Sequence, residues 1–471
     1  MTPALIVLLA VVGLPFAILI LMRPVYGLYA GVALSGVLIT PNFPIIGEKL
    51  APPDAPLLLS LIGLFFSIAL GAHRRLPVPE PARFAIKALG VFVFIAAMSF
   101  AANATFRGAD VFQSLIEVLN YVYAYLVLVA FVILVDDWAK WERFILAWMI
   151  GVAVVAAIST AAAFGVGPEW AQHGGGRIKS TVRSVNQLQA YLGPPIPVLF
   201  GIIISPRWPR LRIPSIAVMA MVFLALAVTG SRTAFVMIGF AVVAIAIYSI
   251  RFMHQNRLAA VVTAFAAVGF FIFAVNLWQT VAERGTAALP PTMRAIARPI
   301  ERGLFTTGIE EQLGVRARQI DIVADHWFEN IPLGVGPGNF IEVFNHPNSV
   351  HNTYLGVLME MGLPALLVLL AALGAITWGG LIAAQYSRNQ SRTVMLRMVT
   401  VAFLLVCVYG LGSFGLRQRP FWLTGGVVLS GIILTLGQIP ALTGPARRPP
   451  APYRPRDSNA FATRRSHLRN I

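Results

Sequence analysis

Long apolar runs recur along the whole chain, separated by short clusters of glycine, proline and basic residues. A helix needs roughly 20 consecutive apolar residues to cross a bilayer, with some latitude for tilt and packing. By that measure the pattern predicts candidate spans at 4–22, 25–40, 57–72, 84–103, 114–134, 144–165, 187–205, 213–229, 233–250, 258–279, 352–380, 397–411 and 421–438. The runs at 25–40, 57–72 and 397–411 are short, so the expectation is 12 or 13 spans. No internal repeat is visible, and the pattern gives no sign of a helix broken inside the membrane.

Composition removes the alternatives. Of 471 residues, 58% are hydrophobic and only 12% are charged. A soluble surface needs roughly 25% charged residues to stay wetted. A soluble enzyme is therefore excluded, with or without one membrane anchor, because the apolar residues fill the whole length. Disordered, fibrous, coiled-coil and disulfide-scaffold classes fall for the same reason. What remains is an all-α, polytopic transmembrane helical bundle, since only helices satisfy their own backbone in lipid. The lone cysteine, Cys407, permits no internal disulfide. The N-terminus lacks the basic stretch of a secretory signal, so its first apolar run reads as a span.

The net charge is +17, from 36 basic and 19 acidic residues. In a membrane protein this points to the positive-inside rule and anionic lipid rather than to nucleic acid. With the C-terminal tail inside, alternation puts 22 Lys and Arg on the inner side and 14 outside, six of those in one long loop. Long loops carry little topological weight. In this orientation the long loop lies outside, which in a bacterium would be the periplasm. Four regions follow: an N-terminal bundle at 1–279, a loop or cap at 280–351, C-terminal spans at 352–440, and a Pro- and Arg-rich tail at 441–471, expected to be disordered and cytoplasmic. Ile320, Ile322, Val323, Trp327 and Phe328 have helical apolar spacing, so the long loop is expected to hold short helices capping the outer mouth.

Four polar clusters fall on that outer boundary. They are Arg177-Ile-Lys-Ser-Thr-Val-Arg183-Ser-Val-Asn186; Thr229-Gly-Ser-Arg232-Thr233; Arg316-Ala-Arg318 followed by Pro332-Leu-Gly-Val-Gly-Pro-Gly-Asn339; and His351-Asn352-Thr-Tyr354 running on to Glu360. Arg232 lies between two apolar runs, where an arginine is costly unless it is paired or faces a cavity. A helix start beside it, capped by Ser231, adds positive potential, and together they suit a phosphate. The competing reading is an arginine snorkelling to the interface. His351 precedes a long apolar helix that Asn352 can cap. A helix N-terminus disfavours the imidazolium, and a neutral imidazole can take a proton from a hydroxyl. His346 is close enough in sequence to compete for that role, and either could simply wet a helix end.

Arg316 and Arg318 point in different directions on a helix, so one at most faces a given ligand. The Gly-rich run lacks the Lys-Ser/Thr of a phosphate loop and reads as a structural turn. Glu360, an acid near or inside the membrane, is a functional candidate by default. No metal-ligand spacing stands out, so neither a metal nor another cofactor is expected; if a diphosphate leaves here, arginines rather than a metal would have to hold its charge.

In this order, the TGSR step, R-x-R with P-L-G-V-G-P-G-N-F, and H-N-x-Y-L with E-x-G-L resemble the bacterial O-antigen ligase / O-antigen polymerase superfamily. The resemblance covers roughly 175–380. The family pattern places Gly-x-x-Gly nine residues after His-Asn; here Gly362 is in register and Ala365 replaces the second glycine. The resemblance implies a GT-C-like membrane glycosyltransferase acting on an undecaprenyl-diphosphate-linked glycan at the periplasmic face. It implies that His351, Arg232 and Arg318 are catalytic, with Arg316 the alternative to Arg318. Substrate-binding candidates are Arg316, Arg177, Asn186, Asn352, Tyr354 and Glu360. The implied partners are the lipid-linked donor, a glycan or lipid A-core acceptor, and membrane lipids. A ligase and a repeat-unit polymerase differ only in acceptor, and a lipid-glycan flippase or transporter is the other class to weigh.

Overall fold

A computed structural model describes residues 3–38, 51–71, 76–106, 111–173, 177–229, 231–252, 309–346 and 350–439, with isolated helical positions between 265 and 279. The expected span at 258–279 and the tail at 441–471 lie outside the described residues, apart from those isolated positions.

The chain is a helical bundle. Its helices are α1 (Pro3–Met22), α2 (Val25–Ala33), α3 (Asp54–Ala69), α4 (Glu80–Phe106), α5 (Val111–Leu134), α6 (Trp138–Ala163), α7 (Val185–Leu192), α8 (Pro195–Ile204), α9 (Arg212–Val228) and α10 (Arg232–Phe252). After the long loop's α11 (Ile309–His326) and α12 (Phe340–Val343) come α13 (Thr353–Tyr386), α14 (Gln390–Tyr409) and α15 (Arg419–Leu436). A two-stranded hairpin, β1 (Gln172–His173) with β2 (Arg177–Ile178), follows α6.

Eight of the described helical segments are long and apolar enough to cross a membrane: 80–106, 111–134, 138–163, 185–204, 209–228, 353–386, 390–409 and 419–436. Shorter apolar helices cover 13–22, 54–69 and 233–248. The apolar run at 25–40 does not form one crossing helix. Its helix ends at Ala33, in a turn that leads to Leu38, whose N–H donates to the Thr181 carbonyl. The single span at 187–205 is two helices, because Gly193, Pro194 and Pro195 interrupt the backbone ladder between α7 and α8.

Side chains of most helices pack into a common core, in which α8 is buried along its whole length and α15 along nearly all of its own. α13 packs against α4, α14 and α15, while α15 also packs on α5. Helix starts carry their own acceptors: Asp137 for α6, Ser184 for α7, Asn352 for α13 and Asn389 for α14. The cap has a small core of its own, in which Val323, Phe340 and Val350 meet Met359 of α13. The apolar spacing expected along α11 is only partly used: Val323 is buried, but Ile320, Trp327 and Phe328 are exposed.

A further departure from the sequence expectation is a break inside a helix. α13 is broken at Gly362, whose φ of +83° no helix contains. Pro364 has no N–H to give to the Glu360 carbonyl. The long loop fills the gap. Gly336 N–H donates to Glu360 O (2.9 Å), Val335 N–H to Met359 O (2.9 Å), and Leu363 N–H reaches back to Ile331 O (2.8 Å). Ser99 Oγ of α4 also donates to Glu360 O, at 2.9 Å. In lipid an unsatisfied carbonyl costs several kcal/mol, so such a break persists only when protein fills it. A Cβ on Gly334 would come within 2.3 Å of the Glu360 backbone, which is why that loop position is glycine.

Candidate active site

The connector between α14 and α15, residues 410–418, is where distant parts of the chain meet. Thr353 N–H donates to Gly410 O (2.7 Å), Asn352 Nδ2 to Leu411 O (3.1 Å), and Thr353 Oγ1 to Ser413 O (2.8 Å). Gly415 N–H returns a bond to Thr353 Oγ1 at 2.7 Å. These bonds fix the start of α13, and with it His351.

Two further helix starts reach the same connector. Tyr409, at the end of α14, donates to the Asn186 carbonyl at 2.9 Å, which brings in α7. Thr233, the residue after Arg232, lies so close to Gly412 that a Cβ there would be 3.1 Å from its Oγ1. α10 therefore begins at Arg232 beside the connector. From the cap, the buried side chain of Gln319 accepts from His351 N–H at 3.2 Å. Its neighbour Arg318 is exposed.

The backbone thus brings the positions of His351, Arg232 and Arg318 to one end of the bundle, with those of Asn186, Asn352 and Tyr354. Arg316 shares α11 with Arg318. The side chains of Arg232, Arg316 and Arg177 are outside the described residues. β2, which carries Arg177, lies against α6 and α9.

The two histidines separate. His346 is 2% exposed and packs against Phe340, ring centroids 6.0 Å apart. His351 is half-buried at the helix mouth. Asn352 and Tyr354 are engaged by the framework. Asn352 Oδ1 accepts from the N–H groups of Tyr354 (2.9 Å) and Leu355 (3.1 Å), and Tyr354 OH donates to Cys407 O at 2.8 Å.

Glu360 is fully buried and held inside the protein. Arg417 Nη2 donates to both its oxygens, at 3.1 and 3.0 Å, and Gly338 N–H donates to Oε2 at 3.0 Å. Arg417 Nε lies 3.1 Å from Glu117 Oε2 of α5. Burial works against the charge on Arg417, but the carboxylates of Glu360 and Glu117 outweigh it and raise its pKa above the ordinary arginine value. Side chains of α4 and α5 clasp the loop that meets this triad: Asn103 Nδ2 donates to Gly334 O (3.2 Å), Ser114 Oγ to Pro337 O (2.7 Å) and Gln113 Nε2 to Gly338 O (3.2 Å).

A second ion pair lies just past the connector, at the start of α15. Arg419 grips Asp54 at the start of α3 through Nε and Nη2. Asp54 also accepts from Tyr123 OH (3.1 Å) and Ala51 N–H (2.7 Å).

Sequence reasoning passed over Arg417, Arg419, Glu117 and Asp54. The signal was there: Glu117 is an acid inside an apolar run, like Glu360, and the arginine pair sits between two spans, like Arg232.

The break in α13 bears on the transporter alternative. Transporters open helices to expose backbone to a substrate or ion. Here loop N–H groups and Ser99 occupy the exposed carbonyls.

Residues 216–370, from α9 through the break in α13, match the O-antigen ligase family. No curated protein matches the chain.

Proposed function

We propose that this chain, whose residues 216–370 match the O-antigen ligase family, transfers a glycan from a lipid-diphosphate carrier to an acceptor hydroxyl. The carrier is an undecaprenyl diphosphate, and the reaction takes place at the periplasmic side of a bacterial inner membrane.

The observation that supports this reading is the meeting of the start of α10, with Arg232, and the start of α13, with His351, at 410–415, while α11, which carries Arg318, reaches His351 N–H through the Gln319 side chain. His351 takes the proton from the acceptor hydroxyl. That oxygen bonds to the anomeric carbon while the bond from carbon to the diphosphate oxygen breaks. The leaving diphosphate departs with the electron pair, and Arg232 and Arg318 stabilise its charge. One preorganised donor of this kind contributes about 2.7–4 kcal/mol to a transition state. Direct displacement inverts the anomeric centre. Glu360 and Asn352 hold the framework on which the reacting groups sit.

The test is a transfer assay with purified full-length protein. Lipid-linked oligosaccharide is supplied with each candidate acceptor in turn, a lipid A-core or a second lipid-linked unit, and the glycan ladder is read on a gel. An acceptor-dependent ladder supports the reading. No transfer with either acceptor, under conditions where the donor binds, counts against it.

A further inference from the structure

A groove of about 660 Å³ opens on the bundle between α3 and α5, beside the connector. Its two ends differ in chemistry. At one end stand Arg183, Arg417 and Arg419; along the rest run leucines, with Leu58, Leu119 and Leu126 at 40%, 54% and 45% exposure. In a membrane-spanning bundle such leucines face lipid.

The polar end is built with care. Asp54 accepts four hydrogen bonds, two from Arg419 and one each from Tyr123 and Ala51. That saturates the carboxylate and fixes the guanidinium plane. A buried ion pair contributes little net stability over an apolar replacement, but it does hold a donor in place. Arginine carries five N–H groups. Arg419 spends two on Asp54 and also lines the groove. Arg417 is held in a comparable way by Glu117 and Glu360. Arg183, exposed, is tethered through Nε to Leu38 O at 3.2 Å. Held guanidinium forks above an apolar trough match a phosphate joined to a hydrocarbon chain. Volumes of this size hold one drug-sized ligand, which means one headgroup and the first part of one chain.

Neither His351 nor Arg318 is among the described residues that line this groove. It is nonetheless tied to them, because the connector that holds Asn352 and Thr353 runs directly into Arg417.

We propose that the groove between α3 and α5 is a second lipid site, seating a single-chain lipid phosphate with its head on Arg183, Arg417 and Arg419. On the transferase reading above, and only on that reading, this lipid is the anchor of the acceptor, and its glycan runs along the connector to His351. The acceptor is then a second lipid-linked unit rather than a multi-acyl lipid.

The test uses full-length protein in phosphatidylcholine nanodiscs with a photo-crosslinking amino acid at position 119, or at position 94 on α4 as the control. The probes are undecaprenyl phosphate, undecaprenol and lipid A, and adducts are weighed by mass spectrometry. Position 119 should capture undecaprenyl phosphate about tenfold better than undecaprenol, the factor one charge-assisted bond carries, and position 94 should not discriminate. Arg183→Gln, at an exposed site that leaves both ion pairs intact, should lower the adduct severalfold, and Arg419→Gln should lower it further. Equal capture of phosphate and alcohol, no effect of Arg183→Gln, or preferential capture of lipid A would overturn the proposal. His351→Ala separates the two claims, since it should stop transfer and leave the crosslink unchanged. Transfer surviving that change would sink the enzyme reading while the lipid site stood.

Discussion

Arg417 and Glu360 lie 57 residues apart in the chain and meet inside the bundle, one Nη2 donating to both carboxylate oxygens at 3.1 and 3.0 Å. Glu360 is 1% exposed and Arg417 24%. Removing one partner strands the other charge, which costs about 3–5 kcal/mol in such pairs. Arg417→Ala and Glu360→Ala should each lower the unfolding midpoint of the detergent-purified protein sharply. The double change to apolar residues of similar volume should recover much of that loss. Equal stability of either single variant and the wild type would mean that the pair is solvated.

The break in α13 depends on Gly362 and Gly334, at φ +83° and +64°. A Cβ on Gly362 would come within 2.4 Å of Ile331 O. A non-glycine residue in such a conformation costs about 1–3 kcal/mol before any clash is counted. Gly362→Ala and Gly334→Ala should cut the folded yield, measured by size-exclusion chromatography. Ala365→Gly, which restores the family's second glycine, should fold normally.

Asn352 does two jobs that substitution can separate. Its Oδ1 caps α13, and its Nδ2 binds Leu411 O. Asn352→Ala should destabilise the protein by about 0.5–2 kcal/mol. Asn352→Asp keeps the acceptor and loses the donor. It should hold the cap yet loosen residues 410–413, read as faster amide hydrogen exchange there.

His346 should behave as a core residue. It is buried against Phe340. His346→Ala should cost about 0.5–3 kcal/mol of stability and leave transfer per folded molecule near wild type. A folded His346→Ala protein with no transfer activity would move the base assignment to that residue.

Arg232→Lys replaces a planar fork with a point charge. Transfer should fall about tenfold or more, since removing one preorganised donor costs up to about 10²–10³ in rate. Unchanged turnover would favour a snorkelling arginine at that position.

Much of the fold was legible because a membrane span needs little more than apolar length. The runs from 80 to 228 and from 353 to 436 are helical, with bounds within about seven residues of where the pattern placed them and the one at 187–205 divided in two. The start of α13 was legible through Asn352, a helix-start residue beside a long apolar run. The break at Gly362 was not, even though Gly362 and Pro364 are in plain view. What keeps it open is a loop about 30 residues upstream in the chain, and no local pattern encodes a donor that arrives from elsewhere. The same holds for Arg417 and Asp54, each meaningful only beside a distant partner. Ile320, Trp327 and Phe328 misled for the opposite reason: helical spacing says that a face is apolar, not that anything covers it.

The central claim is that the imidazole at the mouth of α13 takes the acceptor's proton. It is tested most directly by transfer from purified lipid-linked oligosaccharide with His351→Ala, its fold checked against wild type by unfolding midpoint. The account expects a folded protein that still binds donor and makes no glycan ladder. A ladder of wild-type length and rate from that variant would contradict it.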